Sequence, residues 1–578
     1  MARTARTLSF EVASARIGIV TLLVSGAALG CSSSSSSGTA EPPHDAGGKD
    51  GKAQQSTNDS GPGNTNDSGP GTTSDAGSEA ACGFPATSPV GDAATYAVPG
   101  AWNQCYSQPT DTAAAASQLA CTFKRGAMPG QTLGSSVPLG TQMPIEHIVV
   151  LMQENRSFDS YMGHLAKYEA TKGITNTIES APDTASNPSF PANQRDGGAS
   201  ATDAGADSGP PTFPYQHAPQ LCSFDTAHSW GSAHIEYDKG LNDGFYYENN
   251  GTGDTGEMTG GIAAAQLSGA RSLWWYDERD LPFHYELYST FAMADHYHSA
   301  LLGPTYPNRM YLYSGTSFGL TTNAFPDIAT TYPTVETPVI IFDELAVRGV
   351  SWNWYAEASP PENVVLLTSA LTRYGRNPNV GFPQFLSDAK AGTLPAVSFV
   401  DGNNLNETTT GDDEHPPSEI EIGQHFVWEV VNAVTTSPNW ATTALFITYD
   451  ENGGIYDHVV PPAACPPDDT APILTDPLDE SQPGQFDQYG FRVPFVVVSP
   501  YAKKSYVSHN VYSHTSIIRF IEAKFSLPAL TARDANADAF GDLFDWQNPP
   551  FMTAPTFAEP TINQAAVTQC TAELTPTQ

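Results

Sequence analysis

Positive charge is scarce in this chain: 25 Lys and Arg residues stand against 62 Asp and Glu, a formal net charge of −37. Such a surface repels the phosphate backbone, which argues against nucleic acid as a partner. It also offers no long-range attraction for a phosphate ester, so a phosphate site has to bring its own positive charge, and a bound cation would do so. CxxC pairs are absent, as is any Cys/His spacing suited to zinc, which turns the search for metal ligands toward oxygens and histidines. After residue 29 no apolar run is long enough to cross a bilayer.

What is present at the start is an export signal. Arg3, Arg6 and Arg16 precede an apolar run over residues 17–29 that ends at Gly30-Cys31. The run is too short for a membrane span and ends in the small residues that a signal peptidase needs, so residues 1–30 read as a signal peptide. Cys31 opens a serine run, Ser32 to Ser37, and resembles the acylated cysteine of a bacterial lipoprotein. The expected location is the outer membrane or cell surface, held through a lipid on Cys31; plain cleavage and a periplasmic or secreted product is the alternative.

Residues 31–80 are Gly, Ser, Thr, Asn and Asp with almost no large apolar side chains, and Asn-Asp-Ser-Gly-Pro-Gly occurs twice, at Asn58 and Asn66. That composition predicts a disordered tether. A cysteine-containing segment comes next, over residues 81–143, then a catalytic domain over 144–550 with a polar insertion near 193–213, and a tail over 551–578. Setting Cys31 aside leaves Cys82, Cys105, Cys121, Cys222, Cys465 and Cys570, an even number that suggests three disulfides whose pairing the sequence leaves open.

Short apolar runs at residues 145–152, 396–400, 444–449 and 493–498 suit buried strands, and amphipathic stretches at 418–435 and 516–525 suit helices between them. The alternation predicts an α/β fold with a mainly parallel sheet, in which ligands gather at the carboxyl ends of strands. Two of those ends carry similar chemistry: the first runs into Gln153-Glu154-Asn155 and the third into Asp450-Glu451-Asn452-Gly453-Gly454. Carboxylate and amide oxygens there suit a divalent cation, although each acidic pair alone also fits a helix cap or a solvated loop. A third segment, Gly303-Pro304-Thr305-Tyr306-Pro307-Asn308-Arg309, holds a hydroxyl between two prolines, ahead of a helix expected to begin near Met310. Its hydroxyl is expected to be rigid and exposed, as a helix cap or, activated by a metal, as a nucleophile.

Four motifs carry a family resemblance: Glu154-Asn155-Arg156-Ser157-Phe158-Asp159, Gly303 to Arg309, Asp413-Glu414-His415-Pro416-Pro417, and Thr448-Tyr449-Asp450-Glu451-Asn452-Gly453-Gly454-Ile455-Tyr456-Asp457-His458-Val459. In this order they resemble the bacterial and plant non-specific phospholipase C and acid phosphatase family, over about residues 144–528. The resemblance implies an alkaline-phosphatase-like three-layer α/β fold and hydrolysis of phosphate esters. It implies Glu154, Asn155, Asp450 and Glu451 as metal ligands, with Thr305 both ligand and nucleophile through a phosphothreonine. His228 and His415 resemble the histidines that contact the phosphoryl group, whereas His458 and His514 are motif residues that fit either an outer supporting role or a purely structural one. The ion could be Mg, Ca, Mn or Zn, in one or more copies. Monoesters, diesters and phospholipids all remain open as substrates. The chain running about fifty residues past Pro528 favours a simpler phosphatase or general phosphodiesterase over a phospholipase with a separate C-terminal domain.

Two other readings compete. Gly315-Thr316-Ser317-Phe318-Gly319 matches the G-x-S-x-G pattern of a serine hydrolase, which requires a strand immediately before Ser317. A surface lipoprotein that binds without catalysing would leave its metal positions vacant, and here every one carries a competent side chain. Trp274, Trp275 and Tyr276 suit core packing more than a substrate pocket, and residues 461–489 read as a lid or an acidic surface loop.

Overall fold

The run Ile148-Val149-Val150-Leu151 has no polar face, and a strand made of it can be satisfied only with both faces covered. In the computed structural model it forms strand β1, His147–Gln153, at the middle of an eight-stranded sheet. The structure describes residues 98, 102, 104–193, 210–251, 262–323, 339–356, 379–403 and 408–575. The leader, Cys31, the tether, Cys82 and most of the insertion near 193–213 lie outside these residues. All described residues belong to one compact unit, Ser74–Gln578.

The other strands in chain order are β2 (Ala292–Ala294), β3 (Trp352–Ala356), β4 (Asn379–Gly381), β5 (Val397–Asp401), β6 (Thr443–Tyr449), β7 (Phe495–Val498) and β8 (Tyr506–Ser508). Their order across the sheet is β8-β2-β7-β6-β1-β5-β3-β4. Every pairing is parallel except those of β7 with β6 and with β2. Strand β7 starts at Phe495, later than expected, because Pro494 has no N–H to give the ladder.

Register shows how the sheet is covered. Phe399 of β5 and Phe446 of β6 both stand opposite Val150, so they point to the same face. Phe399 packs on Tyr313 of α4 (Thr305–Ser314) and Phe342 of α5 (Ile341–Arg348), and Phe446 packs on Phe520 of α8 (His514–Phe525). One residue along from Trp354, Tyr355 points the opposite way and meets Phe385 of α6 (Phe382–Ala391), which packs in turn on α7 (Ile420–Thr435) through Phe382 and Phe426. Helices therefore lie on both faces, giving the expected three-layer α/β fold. The remaining helices named below are α1 (Phe158–Met162), α2 (Trp230–Tyr237), α3 (Pro282–Thr290) and α9 (Gln564–Leu574).

Two disulfides, Cys121–Cys465 and Cys222–Cys570, fasten the flanking segments to this layered body. Cys105 is also disulfide-bonded. The first bridge holds residues 104–143 against the sheet domain, where Gly126 N–H donates to Ala529 O at 2.8 Å and Arg519 of α8 reaches Thr132 Oγ1. The second holds α9, in the stretch expected as a tail, within a small apolar cluster with Phe224, Ile262 and Leu574. Two disulfides fit an exported protein, and among the described residues no helix is long and apolar enough to cross a membrane.

Candidate active site

Strands β5, β1 and β6 are neighbours, and their carboxyl ends deliver Asp401, Glu154-Asn155 and Asp450-Glu451 to one edge of the sheet. Beyond the last ladder pair, Gln153 with Tyr449, the two turns hold each other: Asp450 N–H donates to Gln153 O at 3.1 Å and Asn155 N–H to Asp450 Oδ1 at 3.1 Å. Asn155 takes a left-handed φ of 58°, which its short polar side chain tolerates. Glu451 N–H also donates to Asp450 Oδ1, at 2.7 Å, and Gly453 N–H to Glu451 Oε2 at 2.6 Å. Gly453 has φ 62°, and a Cβ there would lie 2.6 Å from Asn155 Cβ, so glycine is what lets the two turns close together.

The histidines arrive from two loops. His228 sits just before α2, where Arg271, itself buried, donates to Phe224 O at 3.0 Å and Asp225 O at 2.8 Å, and Ala227 N–H donates to Asn249 Oδ1 at 2.7 Å. Gly454 lets this loop approach, since a Cβ there would meet Ala227 O at 2.2 Å. With Nδ1 2.7 Å from Thr226 O, the His228 ring turns Nε2 toward the strand ends, 3.5 Å from Asn155 Nδ2 and 3.8 Å from Glu451 Oε1. His415 stands beside it, its ring centre 5.8 Å from that of His228 and its Nδ1 against Pro416 O. Arg156 Nη2 donates to Glu414 O at 2.5 Å, and Glu154 N–H donates to Asp413 O at 2.9 Å, which ties the His415 loop to the end of β1.

Thr305 differs from expectation in two respects. Helix α4 begins at Thr305 itself rather than near Met310, because Pro307 falls in the first turn, where the missing N–H has no helical partner to lose. Thr305 is buried, with the residue only 3 % exposed, and Gly303 just before it packs against Trp230 of α2. Asn308 fastens the turn: its Nδ2 donates to Gly303 O at 2.8 Å and Pro304 O at 3.1 Å, and its Oδ1 accepts from Leu301 N–H at 3.0 Å.

One turn further along the same helix face is Arg309, for which the sequence suggests no role. Its Nη2 lies 2.9 Å from Glu154 Oε1, its Nη1 3.3 Å from Asp401 Oδ1 and its Nε 3.4 Å from Asp450 Oδ2. Burial disfavours its charge, but Glu154, Asp450 and Asp401 hold it charged well beyond the ordinary guanidinium range. Asp401 is a second site residue that the sequence does not single out; Trp354 Nε1 donates to its Oδ2.

His514 opens α8 and places Nε2 2.6 Å from Asp450 O and Nδ1 3.2 Å from Tyr297 OH, so it holds the backbone of a strand end. Burial lowers its pKa to about 4, which keeps it neutral. His458 belongs to a separate cluster: its Nδ1 is 2.6 Å from Asp159 Oδ2, and Arg492 bridges Asp159 at 3.1 Å and Asp457 at 2.9 Å. Ser317 comes after the C-terminal end of a helix, where Gly315 caps α4, and is fully buried, so the strand required before a serine-hydrolase elbow is absent there. Trp274 and Tyr276 are buried in the core, and Trp275 stacks on His164 with ring centres 3.7 Å apart. The 461–489 segment is fastened to α2, with Gly231 N–H donating to Asp479 Oδ1 at 2.8 Å and Trp230 Nε1 to Gln482 O at 3.0 Å. Between them is a cavity of about 520 Å³, lined in part by Trp230 and Leu302.

The residues present fit a divalent cation. Asn155 Oδ1 is buried with no hydrogen-bond partner and Asp450 Oδ2 has only the Arg309 ion pair at 3.4 Å, an arrangement that a bound cation relieves. Glu154, Asn155, Asp450 and Glu451 are each at most 3 % exposed and form a hard oxygen set of the kind such ions take. Asp225, His228 and His415 form an adjacent group whose ligand atoms all lie within 4.8 Å of one another, so the two histidines are also competent to hold metal.

Several known proteins are similar to this chain. Phospholipase C A of Mycobacterium tuberculosis is 32 % identical over 452 residues, covering 72 % of this chain and 80 % of that protein. Non-specific phospholipase C1 of Arabidopsis thaliana is 30 % identical over 434 residues, covering 73 % of this chain and 75 % of that one. A solved structure from Vibrio parahaemolyticus, titled a protein in the alkaline phosphatase superfamily, shares 10 % identity over 47 % of this chain and 66 % of its own, with a TM-score of 0.28. Residues 145–528 match the Phosphoesterase family, and the chain belongs to that family and is a phosphoric ester hydrolase.

Proposed function

We propose that this phosphoesterase cleaves phosphodiesters of the phospholipase C kind by displacement at phosphorus, with Thr305 as the nucleophile. The observation that supports the reading is that Arg309, one turn along α4 from Thr305, lies 2.9 Å from Glu154 and 3.4 Å from Asp450, while His228 lies 3.8 Å from Glu451 and beside His415. A divalent ion held by those oxygens and Thr305 would neutralise charge on the non-bridging oxygens and favour the alkoxide of Thr305. Thr305 Oγ1 gives its proton to Nε2 of His228 or His415 and forms a bond to phosphorus as the bond to the leaving oxygen breaks, and the imidazolium so formed passes the proton to that leaving oxygen. Water then attacks the phosphothreonine, Thr305 Oγ1 leaves, and a phosphomonoester is released. The Nδ1 contacts to Thr226 O and Pro416 O fix the tautomer of each ring and leave Nε2 to serve the phosphoryl group. Choice of a diester rests on the phospholipase C relatives. In this reading the protein is exported and held at a membrane by a lipid on Cys31.

The test compares p-nitrophenyl phosphate, p-nitrophenylphosphorylcholine and phosphatidylcholine under one metal condition. Faster turnover of the two diesters supports the reading; turnover of the monoester alone contradicts the diester assignment and leaves a phosphatase.

A further inference from the structure

Three carboxylates on three adjacent strands are buried around one guanidinium. Glu154 is 3 % exposed, Asp401 2 %, Asp450 and Arg309 0 %. Burying three carboxylates together is costly unless a cation lies among them. Arg309 meets each one with a different nitrogen, Nη2 to Glu154, Nη1 to Asp401 and Nε to Asp450, at 2.9, 3.3 and 3.4 Å. Its Nη2 also donates to Met152 O at 3.2 Å, near the carboxyl end of β1, which puts the guanidinium on the sheet side of the carboxylates. The three nitrogens of one rigid plane thus fix the spacing of three strand ends. Arg309 is in addition four residues beyond Thr305 on α4, one turn along the same face and about 6 Å along the axis.

We propose that Arg309 is a built-in cation of the site: it holds Glu154, Asp401 and Asp450 together when no metal is bound, and through α4 it sets the position of Thr305 against them. It is a positioning residue, since it acts through the carboxylates and the helix. This role rests on the reading that Glu154 and Asp450 hold a divalent ion. Charge alone has two consequences here. The metal-free protein keeps its strand ends assembled, so binding needs no local refolding. The fixed positive charge also opposes an incoming cation, so the site binds metal less tightly than the same carboxylates without Arg309.

The experiment uses the full chain and three proteins: wild type, Arg309→Gln, and Arg309→Gln with Asp401→Asn. Thermal midpoints are measured in chelator, and Mn²⁺ and Zn²⁺ affinities by calorimetry. In chelator the midpoint of Arg309→Gln falls well below wild type, and the double variant recovers part of the loss because one of the stranded charges has gone. Ion affinity of Arg309→Gln rises by about tenfold or more, since the opposing charge is removed. If Arg309→Gln is recovered only unfolded, recovery of a folded double variant supports the proposal and failure of both overturns it. An unchanged chelated midpoint, no recovery in the double variant, or weaker ion binding in Arg309→Gln also overturns it; weaker binding would make Arg309 a mere support for Glu154. If neither ion binds the wild type, it is the metal reading that fails, and the order of the chelated midpoints still decides the role of Arg309.

Discussion

Arg309 Nη2 lies 2.9 Å from Glu154 Oε1, so a residue of helix α4 is joined directly to the carboxyl end of β1. Thr305 stands one turn earlier on that helix and is buried, so its position is a property of the packed core rather than of a surface turn. An enzyme arranged in this way has little freedom to adjust when one member changes.

Glu154→Gln and Asp450→Asn are expected to lose activity through loss of metal. Calorimetry should show weakened ion binding in each, and excess ion should restore part of the rate. Wild-type affinity in either variant would remove that residue from the ligand set.

His228→Ala and His415→Ala are expected to lower kcat by about 100-fold or more while the variants keep their thermal midpoints, as befits groups serving the leaving oxygen. Loss of ion binding in either variant would instead place it among the metal ligands, as the Asp225-His228-His415 group allows.

Gly453→Ala should impair the site without touching any reacting group. The added Cβ would meet Asn155 Cβ at 2.6 Å in a backbone conformation with φ 62°, and Asn155 would have to move. Reduced ion affinity with a smaller change in global stability is the expected outcome, measured by calorimetry and thermal melting.

The Asp159–His458 pair predicts a pH effect of defined sign. Burial lowers the His458 pKa, but the Asp159 carboxylate outweighs it and holds the imidazolium above the ordinary value of 6.5. A raised folded-state pKa stabilises the protein fully below 6.5 and loses its effect as pH rises through the folded value. The difference in urea midpoint between wild type and His458→Gln should therefore be largest in mild acid and shrink above neutrality. A difference that grows with pH would contradict the assignment.

Much of this site is legible in the sequence because long apolar strands announce themselves, and register then carries the residues beyond their ends to one edge of the sheet. Strands β1, β5 and β6 and helices α7 and α8 fall where hydrophobic patterning puts them, to within two residues at each end. Short strands such as β2 and β8, three residues each, carry too little pattern to be read. The sequence singles out Thr305 but places it on an exposed turn ahead of the helix, since Pro307 looks like a helix breaker and is harmless in a first turn. Arg309 and Asp401 escape notice because their significance lies in the convergence of three strands and a helix, which no spacing in the chain expresses. The i, i+4 relation of Thr305 to Arg309 is the one local signal that could have found the arginine.

Phosphate is expected to pass through Thr305, which a single-turnover reaction with substrate labelled at phosphorus checks. Quenched wild-type protein should carry the label on Thr305, and Thr305→Ser should carry it on the new hydroxyl. Thr305→Ala should carry none and lose activity by about 1,000-fold or more, beyond rescue by added ion. Undiminished release of phosphate product by Thr305→Ala, with no label on the wild-type residue, would rule out a phosphothreonine intermediate.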